Sequence, residues 1–463
     1  MSFTAPGEVG PYLSRLAAGV EGLTVDSLPG PVPVPIARIA ADADDGAAAP
    51  VVRVLVIGAQ HGTERAGLEV GLRLARDLTA GRLAHLRRRL EVRIVPMANP
   101  RGVPERRYET ADGIDLDRDH VRLAAPESRA LWAEYAAWRP HLVLDLHEIG
   151  PSEYTVQVGV PTHPNAPGAS MFARFYLLPF MANELARADV RFHEYVAEWT
   201  DGRPREGAAA PREASGGEET GEPDFNSVWY TPPPLDPSSA RNAFALAGSA
   251  AFFVAVSSSR DIIGLGERTE RLYLAVRSLL MAAVGLAPDL LAAHEAASRL
   301  PKDGLVLRAG YVAEPPDAAT PWLFVNSRGQ REQGRLAPWR SEVVVEGELA
   351  PPAGWWLTPD QTALADALRA HGFEVEAGGG SRAALAYSPC ESATLTPADP
   401  PADALWVPAD QPGGRLLFTL IEPWSRGGWF DRASVAPDES TPDAPAPESC
   451  DEADPFPVYR VPR

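Results

Sequence analysis

The chain has 463 residues and a formal net charge of −19, and this length suffices for about two or three domains, each with its own core. Nucleic-acid binding depends on clustered Lys and Arg, so the acidic balance and the lack of a basic stripe argue against a nucleic-acid partner. Residues 1–10 lack the basic and apolar regions of a signal peptide, and no run of about 18 apolar residues occurs, so we expect no membrane partner. Two widely separated cysteines, Cys390 and Cys450, favour a reducing compartment over a disulfide framework. We predict a cytoplasmic protein, and its oligomeric state stays open.

Short apolar segments alternate with helical patterns through the first part of the chain. Four segments are typical of buried strands, namely Val51–Ile57, Leu90–Val95, Leu142–Leu146 and Ala251–Val256. Helical spacing of apolar residues follows Glu64 and Pro126, and a third helix is predicted over Thr269–Val284. This alternation predicts an α/β fold in which a mixed central sheet carries helices on both faces.

Near residue 300 the alternation of strands and helices gives way to short β-rich segments, and this change divides the chain into two predicted domains. Residues 1–300 would form the α/β domain, and residues 301–463 a smaller C-terminal α+β domain. Within the first domain, residues 200–224 are rich in Gly, Ala, Pro and Glu. Such a segment is too polar to offset its own ordering entropy, so we predict a disordered insertion there.

The predicted C-terminal domain combines short strands with one clearly marked helix. Val343–Val345 and Leu416–Leu420 have the composition of strands. Thr358 can cap a helix whose first position suits Pro359, and Gly372 can end it.

A candidate metal site follows the first and third predicted strands. His61 and Glu64 lie three residues apart where a strand turns into a helix, and His147 lies at the end of Leu142–Leu146. Open α/β sheets bind ligands at the carboxyl ends of their strands, and catalytic zinc takes three protein ligands from His and Glu. A lone His beside a Glu is usually a polar surface pair, but three such residues at two strand ends favour metal binding. Asp145 shares a strand face with His147 and can orient it.

The other histidines lack this context, and most are expected to be ordinary surface or core residues. These are His85, His141, His193, His294 and His371. His120 and His163 are at most pocket residues.

Four motifs follow one another along the first part of the chain, namely HGTE at 61–64, NPRG at 99–102, GIDLDRDH at 113–120 and DLH at 145–147. In order and spacing they resemble the motif series of the carboxypeptidase A family of zinc metallopeptidases. The similarity continues through Arg241-Asn242 and into the C-terminal segments 408–412 and 420–423, which resemble bacterial members. The resemblance to the family thus extends over most of the chain.

The resemblance implies a role for individual residues of this chain. His61, Glu64 and His147 would bind zinc, which polarises a water and the scissile carbonyl. Arg107 lies where the family keeps an arginine that stabilises the oxyanion, although Arg106 could take that place. Arg118 matches the arginine that pairs with the terminal carboxylate of the substrate, and the alternative is a salt bridge inside an Asp-rich turn.

The chain departs from the family beside Arg118. The family normally has an asparagine before that arginine, and here the residue is Asp117. An ionised Asp117 would repel a substrate carboxylate. Either Arg118 neutralises Asp117, or the substrate presents an amine, an amide or no charge at that end.

A second departure concerns the general base, which in the family is a glutamate near the end of a late buried strand. Alignment on Arg260 places Ser258 at that position. The nearby carboxylates are more typical of surface or capping residues, and they are Glu148, Asp261, Glu267 and Glu270. Tyr230 is a candidate for the family's mobile phenol.

These features predict a zinc-dependent hydrolase of a peptide or related amide, with a small peptide-like substrate as its partner. Two alternatives stay open. One is a catalytically impaired protein that binds zinc and a peptide-like ligand, and the other is a deacylase of N-acyl amino acids.

Overall fold

A computed structural model describes residues 3–42, 50–150, 155–199, 229–257, 264–313, 320–325, 331–336, 339–378, 383–387, 394–431 and 456–463. Several predictions fall outside these residues. They concern the insertion at 200–224, the position of Ser258, the carboxylate of Asp261 and the two cysteines.

The elements of the described residues are numbered in chain order. The strands are β1 (Leu23–Ser27), β2 (Pro35–Ile39), β3 (Val52–Gly58), β4 (Leu90–Val95), β5 (Leu142–Ile149), β6 (Val156–Gly159), β7 (Phe192–Glu194), β8 (Ala197–Trp199), β9 (Trp229–Thr231), β10 (Ala250–Ser257), β11 (Leu305–Ala313), β12 (Thr320–Val325), β13 (Arg331–Leu336), β14 (Trp339–Leu349), β15 (Gly354–Leu357), β16 (Ala384–Tyr387), β17 (Leu395–Ala398), β18 (Leu405–Pro408) and β19 (Val458–Val461). The α-helices are α1 (Val9–Ala18), α2 (Ala66–Thr79), α3 (Gly102–Glu105), α4 (Pro126–Trp138), α5 (Pro167–Phe172), α6 (Leu178–Arg187), α7 (Ala240–Leu246), α8 (Leu265–Gly285), α9 (Ala287–Ser298), α10 (Thr362–Ala370) and α11 (Gly414–Ile421).

The central sheet is mixed, as predicted, and its strand order is β1-β2-β4-β3-β5-β10-β6-β7. The four predicted strands are β4, β3, β5 and β10, which lie side by side and parallel. Strands β2 and β6 flank this parallel core in the antiparallel direction. The carboxyl ends of β3 and β5 therefore meet at one edge of the sheet, where His61, Glu64 and His147 were expected.

Strand alternation divides the side chains of the sheet between two cores. Val56, Leu144 and Val254 face the layer of α2, α6 and α8. Ile57 and Val143 face the opposite layer, which contains α4 and α7. Helices thus cover both faces, in agreement with the predicted α/β class.

The C-terminal part contributes a five-stranded sheet in the order β17-β16-β19-β15-β18 and a two-stranded sheet of β11 and β14. Its apolar residues share the core on the α4 and α7 side, where Trp355 and Phe418 belong to the same cluster as Trp132 and Phe244. The domain boundary at residue 300 stays a prediction.

Two local predictions for the C-terminal part were wrong. Leu416–Leu420 lies in helix α11 rather than in a strand, and its side chains are buried all round; a short apolar run of this kind does not distinguish a buried helix from a buried strand. The predicted start at Thr358 and Pro359 is a turn in which Gln361 N donates to Thr358 O at 3.0 Å. Helix α10 begins at Thr362 instead.

Among the described residues, no single helix is long and apolar enough to cross a membrane. Helices α8 and α9 meet the length and composition criteria only as a pair, which is bent by 89°.

Candidate metal centre

The first two candidate ligands are placed by the turn after β3. Ala59 adopts a positive φ of 51° directly after the strand, and the chain then passes close to the loop around Gly102. A Cβ atom at Gly62 would lie 2.4 Å from the backbone of Gly102, so only glycine allows this approach. His61 and Glu64 are consequently buried at the sheet edge, with exposed fractions of 3% and 7%.

His147, carried by β5, completes a compact group with these two residues. The Nδ1 atoms of His61 and His147 lie 3.3 Å apart. Glu64 Oε1 lies 2.9 Å from Nδ1 of His61, and Oε2 lies 3.0 Å from Nδ1 of His147. Two imidazole nitrogens and one carboxylate therefore converge on one point, and such a group could hold a metal ion.

The outer ring nitrogens of both histidines contact carboxylates. Asp145 Oδ2 accepts from His147 Nε2 at 2.7 Å, which confirms the predicted contact. Asp115 Oδ1 lies 3.0 Å from His61 Nε2, a contact that was not predicted, although Asp115 belongs to the GIDLDRDH motif. Each histidine thus presents Nδ1 to the centre and holds a carboxylate on its other side, as metal-binding histidines do.

The group is strongly coupled by charge. Burial lowers the pKa of His61, but Glu64 and Asp115 outweigh this effect and raise it to about 9. Burial raises the pKa of Glu64, yet the charges of the two histidines bring it down to about 2. The pKa of His147 is likewise raised well above its usual value, by Asp145 and Glu64 against the effect of burial. In the metal-free protein, protons on the histidines balance the carboxylates.

Arg118 and Asp117, the predicted substrate-binding pair, lie beside this centre and contact each other. Arg118 Nη1 donates to Asp117 Oδ2, and Asp117 Oδ1 accepts from Ala240 N at 3.1 Å. Asp117 is buried, whereas 46% of the Arg118 side chain is exposed. Of the two possibilities raised by Asp117, neutralisation by Arg118 is the one that the structure shows.

Arg107 lies in the loop that packs on the metal centre, and it forms an ion pair with Glu105 rather than with one of the three candidate ligands. Its side chain is 45% exposed, and the guanidinium lies 3.8 Å from Glu105. The adjacent Tyr108 stacks on the ring of His61 with a centroid distance of 3.8 Å. Sequence reasoning missed Tyr108, although it directly follows Arg106 and Arg107.

The alternative carboxylate bases that lie in the described residues have other partners. Glu148 Oε1 accepts from Ala66 N at 2.7 Å and Oε2 pairs with Arg268 at 2.9 Å, because strand alternation turns its side chain away from the face of His147. Glu267 pairs with Arg271. Glu270 pairs with Arg73. The capping or surface roles predicted for these three carboxylates agree with their contacts.

Strand β10, which precedes the expected position of the base, pairs with the strand that carries His147. Ala255 pairs with His147 in the parallel register, and Ser257 is the last residue of the strand. Ser258 follows it outside the described residues. Tyr230 lies in β9, in the sheet formed with β8, β12 and β13.

Arg241 on α7 is a buried cation that sequence reasoning did not assign. It is 2% exposed, and its guanidinium carbon lies 5.7 Å from the ring centroid of Tyr195. Its Nη2 donates to Pro234 O at 3.1 Å, and its Nε has no hydrogen-bond partner within the described residues. Burial lowers its pKa, and the nearby charge of Arg118 adds to this effect.

Comparison with known proteins gives a partial match. No family model matches the chain. Over 99 residues it is 34% identical to Carboxypeptidase 2 of Trichophyton tonsurans and of Trichophyton rubrum, which corresponds to 21% of this chain and 18% of each relative. The chain therefore matches about a fifth of the length of these curated relatives, and proteins named carboxypeptidases are relatives of part of it.

Solved structures of carboxypeptidases are also similar at low identity. Carboxypeptidase A from Helicoverpa armigera has a TM-score of 0.45 and 16% identity, with 62% of this chain and 75% of that chain covered. A metallo-carboxypeptidase from Burkholderia cenocepacia has a TM-score of 0.43 and 16% identity, with 60% and 68% covered.

Proposed function

We propose that this protein is a zinc-dependent hydrolase of peptide or related amide bonds, of the metallocarboxypeptidase type. The observation that carries the proposal is the convergence of His61, Glu64 and His147, whose ligand atoms all lie within 4.8 Å of one another. The 99-residue match to carboxypeptidases of Trichophyton supports the reaction class.

The residues of the site fit zinc by their chemistry. Two neutral imidazoles and one carboxylate suit zinc better than magnesium or calcium, which prefer oxygen ligands. Asp115 and Asp145 hold the outer nitrogens of the two histidines, which leaves both Nδ1 atoms for the metal. Zinc bound by these three residues would supply Lewis-acid polarisation of a carbonyl and a water of lowered pKa.

Two guanidinium groups can receive an anionic end of the substrate. Arg118 is half-exposed beside the centre, and a planar guanidinium binds carboxylates in a bidentate manner. Arg241 is buried, and the charges of Arg118 and Asp117 both act on it. A buried charge is costly unless it is paired, and the Asp117 carboxylate that acts on Arg241 is already paired with Arg118, so a further anionic group nearby would stabilise Arg241. Both features favour a substrate that carries a carboxylate.

A second candidate function is binding of a peptide-like ligand with impaired catalysis. It is favoured by the contacts of Glu148, Glu267 and Glu270, whose carboxylates are all paired away from the centre. With Ser258 at the expected position of the base, proton transfer to a carboxylate would be lost. General-base catalysis contributes roughly 10²–10⁴ in rate, so weak turnover is the expected activity.

Metal analysis of the purified protein, combined with turnover of blocked dipeptides and N-acyl amino acids, tests this proposal. We expect about one zinc per chain and slow hydrolysis of substrates with a free carboxylate. The His61→Ala, His147→Ala double variant should lose the zinc, whereas the exposed His85 serves as a control when it is replaced by Ala. Full zinc occupancy in the double variant would refute the site. Zinc binding without any turnover would favour the impaired protein, and preference for N-acyl amino acids would favour a deacylase.

A further inference from the structure

A buried chain of hydrogen bonds leads from helix α4 to the metal centre. Trp132 Nε1 donates to His120 Nδ1 at 3.0 Å, and His120 Nε2 lies 3.2 Å from Gln60 Oε1. Gln60 Nε2 donates to Asp145 Oδ1 at 2.8 Å, and Asp145 Oδ2 lies 2.7 Å from His147 Nε2. All five side chains are at most 1% exposed, so water does not compete for these bonds.

The chemistry of the groups permits only one direction of donation along this chain. The indole N–H of Trp132 can only donate, so His120 Nδ1 must accept, and a neutral His120 then carries its proton on Nε2. That proton goes to Gln60 Oε1, which turns the amide NH₂ towards Asp145. The opposite orientation of Gln60 would place its NH₂ against the N–H of His120 and its oxygen against the Asp145 carboxylate.

The last bond in the chain determines the state of the metal ligand. The two carboxylate oxygens of Asp145 accept from Gln60 Nε2 and from His147 Nε2, so the proton of His147 lies on Nε2. In the metal-free protein His147 Nδ1 also carries a proton, which it donates to Glu64 Oε2 at 3.0 Å. When that proton leaves, the proton kept on Nε2 by Asp145 leaves the lone pair on Nδ1, where a metal can bind.

We propose that Gln60, His120 and Trp132 are positioning residues for the metal centre, which hold His147 in the tautomer that offers Nδ1 to the metal. The inference rests on the proposed function only in that the centre binds a metal. None of the three residues touches the metal-binding atoms, so they act through Asp145 and His147.

The C-terminal part of the chain supports this relay. His371, which follows α10, lies with its Nε2 3.0 Å from the backbone oxygen of His120. Its ring packs on Trp132 at a centroid distance of 4.6 Å. The packing of α10 against α4 thus fixes the positions of His120 and Trp132. In this way the C-terminal part of the chain supports the hydrogen bonds that lead to the metal centre.

Replacement of Trp132 by Phe tests the relay, because it keeps an aromatic ring and removes the N–H that sets the direction. Trp138→Phe is the matched control, since Trp138 lies on the same helix and its Nε1 also donates one bond, to Glu91 at 3.0 Å. Zinc affinity is measured by competition with a chelator. Loss of a direct outer partner of a metal ligand typically costs about 10–100-fold in affinity. Because Trp132 acts through three further side chains, we expect a measurable loss of up to about tenfold for Trp132→Phe and none for Trp138→Phe.

Long-range ¹H–¹⁵N spectra of the zinc-loaded protein provide a readout that a merely structural role would not move. We expect His120 to be protonated only on Nε2 in the native protein and in Trp138→Phe. In Trp132→Phe a share of the Nδ1-protonated tautomer should appear, because only the bond to Gln60 then holds the proton on Nε2. Gln60→Met, which removes the central link at similar volume, is the second variant if Trp132→Phe does not fold, and a measurable loss of up to about tenfold in zinc affinity is again expected.

The failures of this inference and of the proposed function can be distinguished. If the native protein binds zinc but Trp132→Phe and Trp138→Phe weaken it equally, or if His120 is protonated on Nδ1, the relay is wrong and the metal site stands. If the native protein binds no zinc, the proposed function is wrong and the relay with it.

Discussion

Zinc affinity should depend steeply on pH, because the metal must displace protons from the ligands. In the metal-free protein the pKa of His61 is raised to about 9. At pH 7 only about 1% of a group with this pKa is unprotonated, so the apparent dissociation constant should be about 100-fold weaker than above pH 9. Displacement of one proton changes the constant about tenfold per pH unit, and the raised pKa of His147 makes the dependence steeper.

The stability of the metal-free protein should follow the opposite trend. Because the folded pKa of His61 exceeds its usual 6.5, its contribution is fully present below about pH 6.5 and is lost as the pH rises through about 9. The pKa of Glu64 is lowered from 4.5 to about 2, so its contribution is present above about pH 4.5 and is lost as the pH falls through about 2. The contributions of both groups to the free energy of unfolding should therefore be fully present between about pH 4.5 and 6.5.

Competition with a chelator of known proton affinity, measured from pH 6 to 10, gives the zinc dissociation constant. Urea unfolding of the metal-free protein over the same range gives the stability. A zinc affinity that stays constant between about pH 6 and 9, after correction for the chelator, would refute the coupling of His61 and Glu64 on which this prediction depends.

Three further predictions concern residues around and beyond the centre. Ser258→Glu should raise turnover of a suitable peptide by at least about tenfold, a cautious share of the range for general-base catalysis, with unchanged zinc content; no gain in an already fast enzyme would contradict the alignment of this position. Asp117→Asn releases Arg118 from its carboxylate partner, so Arg118 becomes available to a substrate carboxylate. KM for substrates with a free carboxylate should then fall by about threefold or more relative to their amides, which corresponds to the free energy of a partly exposed ion pair. Arg460→Met leaves the fully buried Glu422 without the cation that lies 2.6 Å away, which should lower the free energy of unfolding by about 3–5 kcal/mol in urea titrations. A loss below about 1 kcal/mol would show that this ion pair contributes no more to stability than an exposed one.

The grouping of the candidate ligands could be predicted because it depends on local order. His61 and Glu64 follow one strand and His147 lies near the end of another, and parallel strands bring their carboxyl ends to the same edge. The partnership of Asp145 with His147 follows from the period of two within a strand. Burial of these strands on both faces is equally visible in their β-branched, apolar composition.

Contacts between side chains of neighbouring residues were harder to predict, since they depend on which face each residue occupies. Glu148 is adjacent to His147, yet it points to the opposite core and caps α2. Leu416–Leu420 has no periodicity that separates helix from strand, and only burial on all sides by the surrounding core selects helix α11.

The sequence by itself determined the strand and helix alternation and the three candidate ligands, because these depend on periodicity and on residues at strand ends. Only the tertiary structure decided that Asp117 Oδ1 is bound to Ala240 N, and that Gln60, His120 and Trp132 form one hydrogen-bonded chain. The physical reason is distance along the chain. These groups meet through the packing of α4 and α7 on the sheet, and the direction of a hydrogen bond is set by its partner in space rather than by its neighbours in sequence.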